Sequence, residues 1–162
     1  MNRNTPFFCV LLIASAAAVQ AGPVQVIKFE QFRTMTERVS DTTYVFNFFA
    51  TWCDPCKHEF PAFQKWAAQN TGKKCVLSFI SLDFKKDLKR SLAPWLEKQH
   101  VENDVFLLDE PDYNSWISRI DSTWSGSLPM TLVVNHEAGI WNVYPQEFDL
   151  KMLQQVISPL IP

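Results

Sequence analysis

The chain lacks the strong charge and the sequence repetition that mark several classes of protein. Its formal net charge is only −2 over 162 residues, and no stretch interleaves basic with aromatic side chains. This argues against nucleic acid as a partner. There is also no internal repeat, low-complexity tract or Gly/Ser-rich linker, so we expect one compact domain over residues 22–162. Hydrophobic residues make up 47% of the chain, which is enough for a core.

Glycine is scarce, with four residues in the chain, and no glycine-rich dinucleotide fingerprint is present. We therefore expect neither a bound nicotinamide cofactor nor any other cofactor.

The apolar run of residues 7–19 is shorter than the roughly 20 residues of a membrane-spanning helix. It follows the positive Arg3 and precedes modest side chains that end at Ala21, which is typical of an export signal. We predict a signal peptide over residues 1–21 and a periplasmic or otherwise exported protein. An uncleaved N-terminal membrane anchor is the alternative. Cys9 follows Phe7 and Phe8 rather than a small-residue lipobox, and is interpreted as an incidental residue of the signal.

The hydrophobic pattern that follows first predicts an edge strand over residues 24–29 and a helix over residues 29–38. The apolar face of this helix consists of Phe29, Phe32, Met35 and Val39. Residues 42–49 are nearly all β-branched or aromatic, which predicts a central strand buried on both faces. A second helix begins near Cys53 and is expected to kink at Pro61.

The second half of the chain continues the alternation of strands and helices. In chain order, the pattern predicts a strand at 75–82, a helix interrupted by Pro94, a strand at 105–108, a short helix at 113–120, a β-hairpin at 131–134 and 140–144, and a last helix that stops at Pro159. This order is typical of an α/β sandwich.

The segment Cys53-Asp54-Pro55-Cys56 carries the strongest chemical signal. A thiolate is the species that attacks a disulfide, and a helix N-terminus stabilises a thiolate. Cys53 lies at such a position, and Cys56 follows almost one turn later, within reach of a disulfide. We predict that Cys53 attacks a partner's disulfide and that Cys56 resolves the mixed disulfide. Lys57 favours the thiolate and Asp54 opposes it.

Two other interpretations of the pair stay open at this point. A zinc site would need further ligands from Cys75, His58, His100 or His136, none of which has a partner at ligand spacing. A purely structural disulfide is the other interpretation, although so short a loop constrains the unfolded chain little. Cys75 opens a predicted strand and has no motif around it, so we assign it to the core.

Two segments carry a family resemblance. Residues 47–61 read NFFATWCDPCKHEFP, and residues 124–131 read WSGSLPMT with a proline just before the hairpin. Together they resemble the exported TlpA/ResA-type disulfide reductases, thioredoxin-like proteins that are also labelled redoxin or AhpC/TSA-like. The resemblance spans residues 24–160. It implies a thioredoxin fold, with a central mixed β-sheet flanked by helices, an N-terminal extension and a central αβ insertion at 104–120.

The resemblance also implies roles for residues around the cysteines. Pro129 would be a cis-proline that faces the pair, with an ordinary trans turn proline as the alternative. The backbone of Leu128 would bind an extended substrate segment by strand addition. Trp52 would flank the site and shape the docking surface, and a packing role for its ring is compatible with this.

Proton transfer departs from the thioredoxin pattern. Asn47 stands where thioredoxin has a buried Asp, and an amide cannot exchange a proton in this way. In the exported reductases a Glu three residues after the second cysteine lies near the pair, and Glu59 matches it. The resemblance thus implies that Glu59 accepts the proton of Cys56. A solvated helix residue is the alternative.

As a function, the resemblance implies a thiol–disulfide oxidoreductase that reduces disulfides in cysteine-containing exported proteins, apocytochrome c among them. A membrane electron donor of the disulfide-reductase type would supply electrons, and we expect a monomer. The alternative is a thiol oxidase that donates its disulfide, although Asp54 favours the reductase. A copper chaperone would need three residues between the cysteines, and a peroxidase would need Thr or Ser at the position of Ala50.

Overall fold

The computed structural model describes residues 24–162. The predicted signal peptide, the alternative anchor and Cys9 all lie outside the described residues. Within residues 24–162, no helix is both long enough and apolar enough to cross a membrane.

Six strands form one mixed sheet in the order β1-β4-β3-β2-β5-β6. They are β1 (Gln25–Ile27), β2 (Thr43–Phe49), β3 (Cys75–Ser81), β4 (Asp104–Leu108), β5 (Met130–Asn135) and β6 (Ile140–Tyr144). Strands β1 to β4 run parallel, β5 pairs antiparallel with β2, and β6 pairs antiparallel with β5 at the sheet edge. This confirms the predicted mixed sheet, with the N-terminal β1 at its edge and β4 of the central insertion inside it.

Helices cover both faces of the sheet. They are α1 (Phe29–Thr36), α2 (Asp54–Gln69), α3 (Ala93–Lys98), α4 (Ile117–Ile120) and α5 (Leu150–Met152). Tighter or wider turns extend several of them: 3-10 turns at Lys85–Asp87, Tyr113–Ser115 and Ser158–Leu160, and π turns at Leu88–Leu92 and Leu153–Ile157.

The central strand β2 divides the core into two layers. Val45 and Phe49 pack on the side of α2, while Phe46 and Phe48 pack on the side of α1, as the alternation of a strand requires. All four side chains are at most 1% exposed, which confirms the prediction of a strand buried on both faces. Each fully buried aromatic or aliphatic side chain stabilises the fold by about 1.5–3 kcal/mol.

Several predicted helices differ in detail. The first ends at Thr36, so Val39 lies beyond it and is 82% exposed rather than part of its apolar face. Pro94 lies in the first turn of α3, directly after a π turn, and the predicted interruption is thus a change of helix type. The helix over 113–120 is broken at Trp116, whose φ of −137° is not helical. Pro61 lies inside α2, which continues to Gln69.

The last helix begins at Leu150, three residues before Leu153, the first residue of its predicted apolar face. Asp149 caps it by accepting a hydrogen bond from the backbone N–H of Met152 at 2.7 Å. Capping by an aspartate is common at such positions. The helical turns then run through Pro159 and end at Leu160.

Candidate redox site

The cysteine pair forms a disulfide at the start of α2, where the parallel strand β2 ends. Cys53 and Cys56 are joined with their Cα atoms 5.3 Å apart. Cys53 is the N-cap of the helix, and its Sγ accepts a hydrogen bond from the backbone N–H of Cys56 at 3.3 Å. Pro55 occupies the first turn, where its missing N–H leaves no helical bond unmade. A sulfur in this position gains negative charge at low cost in the reduced protein.

The two sulfurs differ in accessibility. Cys53 is 6% exposed, whereas Cys56 is fully buried beneath it. The preceding residue, Trp52, is 62% exposed. Cys53 is thus the less buried cysteine of the pair and directly follows an exposed aromatic residue.

The charged residues of the motif pair with each other. Lys57 Nζ lies 2.6 Å from Asp54 Oδ1, and this contact holds the pKa of the Asp54 carboxyl below its usual range. The sequence predicted opposite effects of the two residues on the thiolate. Because they form an ion pair, their opposing effects on Cys53 largely offset each other.

A buried carboxylate fixes the turn that leads into the cysteines. Asp83, which follows β3 and is 4% exposed, accepts hydrogen bonds from the backbone N–H of Thr51 at 3.0 Å and from its hydroxyl at 2.5 Å. The hydroxyl of Ser81 donates to the same carboxylate at 2.8 Å. Sequence reasoning missed Asp83. The available signal was a carboxylate placed directly after an apolar parallel strand, whose carboxyl end lies beside that of β2.

Glu59 is buried in the interior, 1% exposed, rather than a solvated helix residue. Its Oε1 accepts from Asn47 Nδ2 at 2.6 Å, and its Oε2 accepts from the backbone N–H of Phe148 at 2.8 Å. Burial, helped by the nearby negative charge of Glu147, raises the pKa of the Glu59 carboxyl to about 7, and the hydrogen bonds from Asn47 and Phe148 limit this rise. At neutral pH the group is therefore suited both to accept and to release a proton.

The proline loop lies beside the same end of β2. The peptide bond between Leu128 and Pro129 is cis, as the resemblance implied. The next residue, Met130, opens β5 and pairs with Phe48 near the end of β2. The indole N–H of Trp124 donates a hydrogen bond to the carbonyl of Ser127 at 2.9 Å, which stabilises the loop before the proline.

Cys75 lies away from the site and is half-buried, so its assignment to the interior of the core was only partly right. It pairs with Thr43 at the beginning of β2, whereas the disulfide follows the end of that strand. Burial raises the pKa of its thiol to about 12. Among residues 24–162, no group of three or more His, Cys, Asp or Glu side chains is arranged to hold a metal ion.

Comparison with known proteins identifies the relationships of the chain. A thioredoxin from Malassezia sympodialis is 33% identical over 71 residues, which are 43% of this chain and 66% of that protein. The matched segment thus spans slightly less than two thirds of that thioredoxin.

Solved structures resemble the fold as a whole. A thioredoxin-related protein from Neisseria meningitidis serogroup B has a TM-score of 0.63 and 22% identity, covering 77% of this chain and 87% of its own. A secreted disulfide oxidoreductase from Mycobacterium tuberculosis has a TM-score of 0.57 and 14% identity, covering 75% and 84%. At such identities the likeness shows the thioredoxin-like fold. The model of the AhpC/TSA family matches residues 25–141, which is most of the chain, and the chain therefore belongs to the AhpC/TSA family.

Proposed function

We propose that the protein is a thiol–disulfide oxidoreductase that reduces disulfides in exported proteins through Cys53 and Cys56. The observation that carries this proposal is the arrangement of the pair: a slightly exposed cysteine at a helix N-terminus, disulfide-bonded to a fully buried one. Membership of the AhpC/TSA family, whose chemistry is redox chemistry of cysteines, agrees with it. A structural disulfide would not need its outer sulfur placed where a thiolate is stabilised.

The reaction begins with the reduced pair. The Cys53 thiolate attacks one sulfur of the substrate disulfide, a bond forms between these sulfurs, and the other substrate sulfur leaves as a thiolate that takes a proton from solvent. Cys56 then loses its proton to Glu59, and its thiolate attacks Cys53 Sγ. The second substrate thiolate leaves and is protonated. The substrate has gained two electrons, and the protein is left with the Cys53–Cys56 disulfide.

Substrate docking would use the elements around the pair. The backbone of Leu128, before the cis-proline Pro129, offers main-chain groups to an extended segment, and recognition through the main chain demands little of the substrate sequence. The exposed ring of Trp52 supplies apolar contact beside Cys53. The substrates are thus exported proteins with an accessible disulfide in an extended segment.

The charges of the site favour the reductive direction. Two buried carboxylates, Glu59 and Asp83, belong to the site, and the Lys57 charge is matched by Asp54. Negative charge disfavours a thiolate, and a dithiol that is poorly stabilised is a good reductant. A membrane protein of the disulfide-reductase type would return the pair to the dithiol. Export is supported by the N-terminal signal pattern and by the secreted M. tuberculosis protein of similar fold.

The reduction potential of the pair tests the direction. The protein, expressed as residues 22–162, is equilibrated with dithiothreitol redox buffers, and the fraction of disulfide is read by thiol labelling. We expect a value near the thioredoxin end of the range, about −270 mV. A value near about −120 mV would contradict the reductase and identify an oxidant instead.

Trapping tests the assignment of the two cysteines. Cys56→Ser should accumulate mixed disulfides with exported proteins, because the resolving sulfur is missing. The matched control Cys53→Ser should accumulate none. Combining Cys56→Ser with Cys75→Ser should leave the trapped species unchanged. Mixed disulfides that disappear with Cys75 would contradict the role of Cys53.

A further inference from the structure

The Glu59 carboxylate is held in the core entirely by neutral donors. Its two oxygens accept from the amide of Asn47 at 2.6 Å and from the backbone N–H of Phe148 at 2.8 Å. Glu59 follows Cys56 by three residues on α2, so the two side chains lie on neighbouring turns of the same helical face. A buried carboxylate without a cation depends on such donors to be ionised at all.

Asn47 reaches this position because of the register of β2. Successive side chains of a strand point to opposite faces of the sheet, so Asn47 lies on the same face as Val45 and Phe49, the face covered by α2. It is fully buried, and its Nδ2 also lies 3.3 Å from Thr131 Oγ1 across the pairing of β2 with β5. The amide is thus fixed between a neighbouring strand and the carboxylate.

The other end of the same amide is unmatched. Among the described residues, Asn47 Oδ1 is the buried side-chain oxygen that has no hydrogen-bond partner. An unmatched buried acceptor is costly. Donation toward Glu59 accounts for this orientation. If the amide turns by half a rotation, the oxygen faces Glu59 instead and accepts from the protonated carboxyl, while the Thr131 hydroxyl can donate to it.

We propose that Asn47 is a positioning residue for proton transfer: its amide stabilises ionised Glu59 and so keeps this carboxylate able to take the proton of Cys56. The proposal rests on the function assigned to Glu59 above. The hydrogen bond from Asn47 lowers the pKa of Glu59 against the opposing effects of burial and of the Glu147 charge. The backbone N–H of Phe148 is the second donor to Glu59, neutral Thr131 on β5 contacts the same amide, and Cys56 precedes Glu59 by three residues on α2. Without the amide, the proton would stay on Glu59 to higher pH.

The test compares two variants. Asn47→Leu keeps the branched shape and the number of side-chain heavy atoms but has no donor. Thr131→Val removes the second partner of the amide and leaves its contact with Glu59. The rate at which the reduced protein reduces a peptide disulfide is measured in single turnovers from pH 5 to 9. We expect Asn47→Leu to shift the midpoint of the pH profile upward by about one pH unit or more. Thr131→Val should shift it by much less. An unshifted profile in Asn47→Leu, or equal shifts in both variants, would overturn the proposal.

A second measurement separates Asn47 from the function of Glu59. The Glu59 carboxyl is titrated by carbon NMR in the oxidised protein labelled at glutamate, with Glu59→Gln identifying its signal. The titration midpoint should rise in Asn47→Leu, and an unchanged midpoint would contradict the role of Asn47. If Glu59→Gln itself leaves the rate profile unchanged, the assigned function of Glu59 fails, whereas the NMR result still decides on Asn47. Asn47→Ala, which is smaller and also has no donor, replaces Asn47→Leu if the latter does not fold.

Discussion

Asp83 and Thr51 are joined by two hydrogen bonds that connect the end of β3 to the turn before the cysteines. The carboxylate accepts from the Thr51 backbone N–H at 3.0 Å and from the Thr51 hydroxyl at 2.5 Å. The turn itself closes with the N–H of Cys53 donating to the carbonyl of Ala50 at 3.1 Å. Thr51 and Trp52 are therefore its central residues, and Asp83 fixes the first of them.

Asp83→Asn should lower the free energy of unfolding by about 1–3 kcal/mol, since an amide replaces one acceptor oxygen and leaves a buried donor of the turn unpaired. Urea denaturation of the oxidised protein measures this change. The matched control is Thr51→Ser, which keeps both donors and should stay within about 0.5 kcal/mol of the unmodified protein. Equal stabilities of Asp83→Asn and the unmodified protein would show that the carboxylate does not stabilise the turn.

Glu59 should make the stability of the protein depend on pH. The pKa of its carboxyl is about 7 in the folded protein and near the ordinary 4.5 when unfolded. The folded state thus binds the proton more tightly, and the contribution to stability is complete below about pH 4.5 and is lost as the pH rises through 7. The loss amounts to about 3 kcal/mol at most.

Comparison with Glu59→Gln isolates this effect. Urea denaturation of both proteins is measured from pH 4 to pH 8, and the free energy of the unmodified protein relative to Glu59→Gln should fall with rising pH. Loss of one acceptor in the glutamine adds an offset that does not depend on pH. A relative stability that is constant, or that rises over this range, would contradict the raised pKa.

The sequence predicted those features of the fold that arise from local pattern. β2 is found by its run of β-branched and aromatic residues, and the start of α2 by Cys53 and Pro55, because the signals for these elements lie within a few residues. The helices that combine α-helical turns with 3-10 or π turns were predicted less well. The break at Trp116 follows from packing of a fully buried ring, and no local pattern encodes such a contact.

The same distinction holds for the site. The cysteines and Pro129 were recognised from contiguous motifs, whereas the bond between Asp83 and Thr51 joins residues 32 positions apart and depends on the neighbouring ends of β2 and β3. The burial of Glu59 also depends on tertiary contacts. Its second donor, the backbone N–H of Phe148, lies 89 positions away in the sequence, beyond the hairpin.

Cys75 should be chemically inert beside the redox pair. Burial raises the pKa of its thiol to about 12, so the reactive thiolate is nearly absent at pH 8. In the reduced protein, iodoacetamide should modify Cys53 at least about a hundredfold faster than Cys75, as resolved by mass spectrometry of peptides. Cys75→Ser should retain full disulfide exchange. Alkylation of Cys75 at the rate of a free cysteine would show that its thiol is not protected by burial.

Trp52 should matter for large substrates and little for the fold. Its side chain is 62% exposed, so Trp52→Ala removes few core contacts and should change the free energy of unfolding by no more than about 0.5 kcal/mol. Exchange with a protein disulfide should slow by about tenfold, because loss of an exposed aromatic anchor removes on the order of 1–2 kcal/mol of contact energy. Exchange with a small disulfide, which does not reach the ring, should be unaffected.

The control is Val39→Ala, which removes another exposed apolar side chain but lies before β2, at the end of the strand remote from the cysteines. For both variants, single-turnover rates are compared between a protein disulfide, that of insulin, and a small aromatic disulfide. A loss confined to the protein substrate and to Trp52→Ala assigns the ring to docking. If Trp52→Ala slows both substrates equally, the ring acts instead on the reactivity of Cys53, and the docking role is wrong. Equal losses in Val39→Ala would mean that exposed apolar area in general, rather than this position, determines the rate.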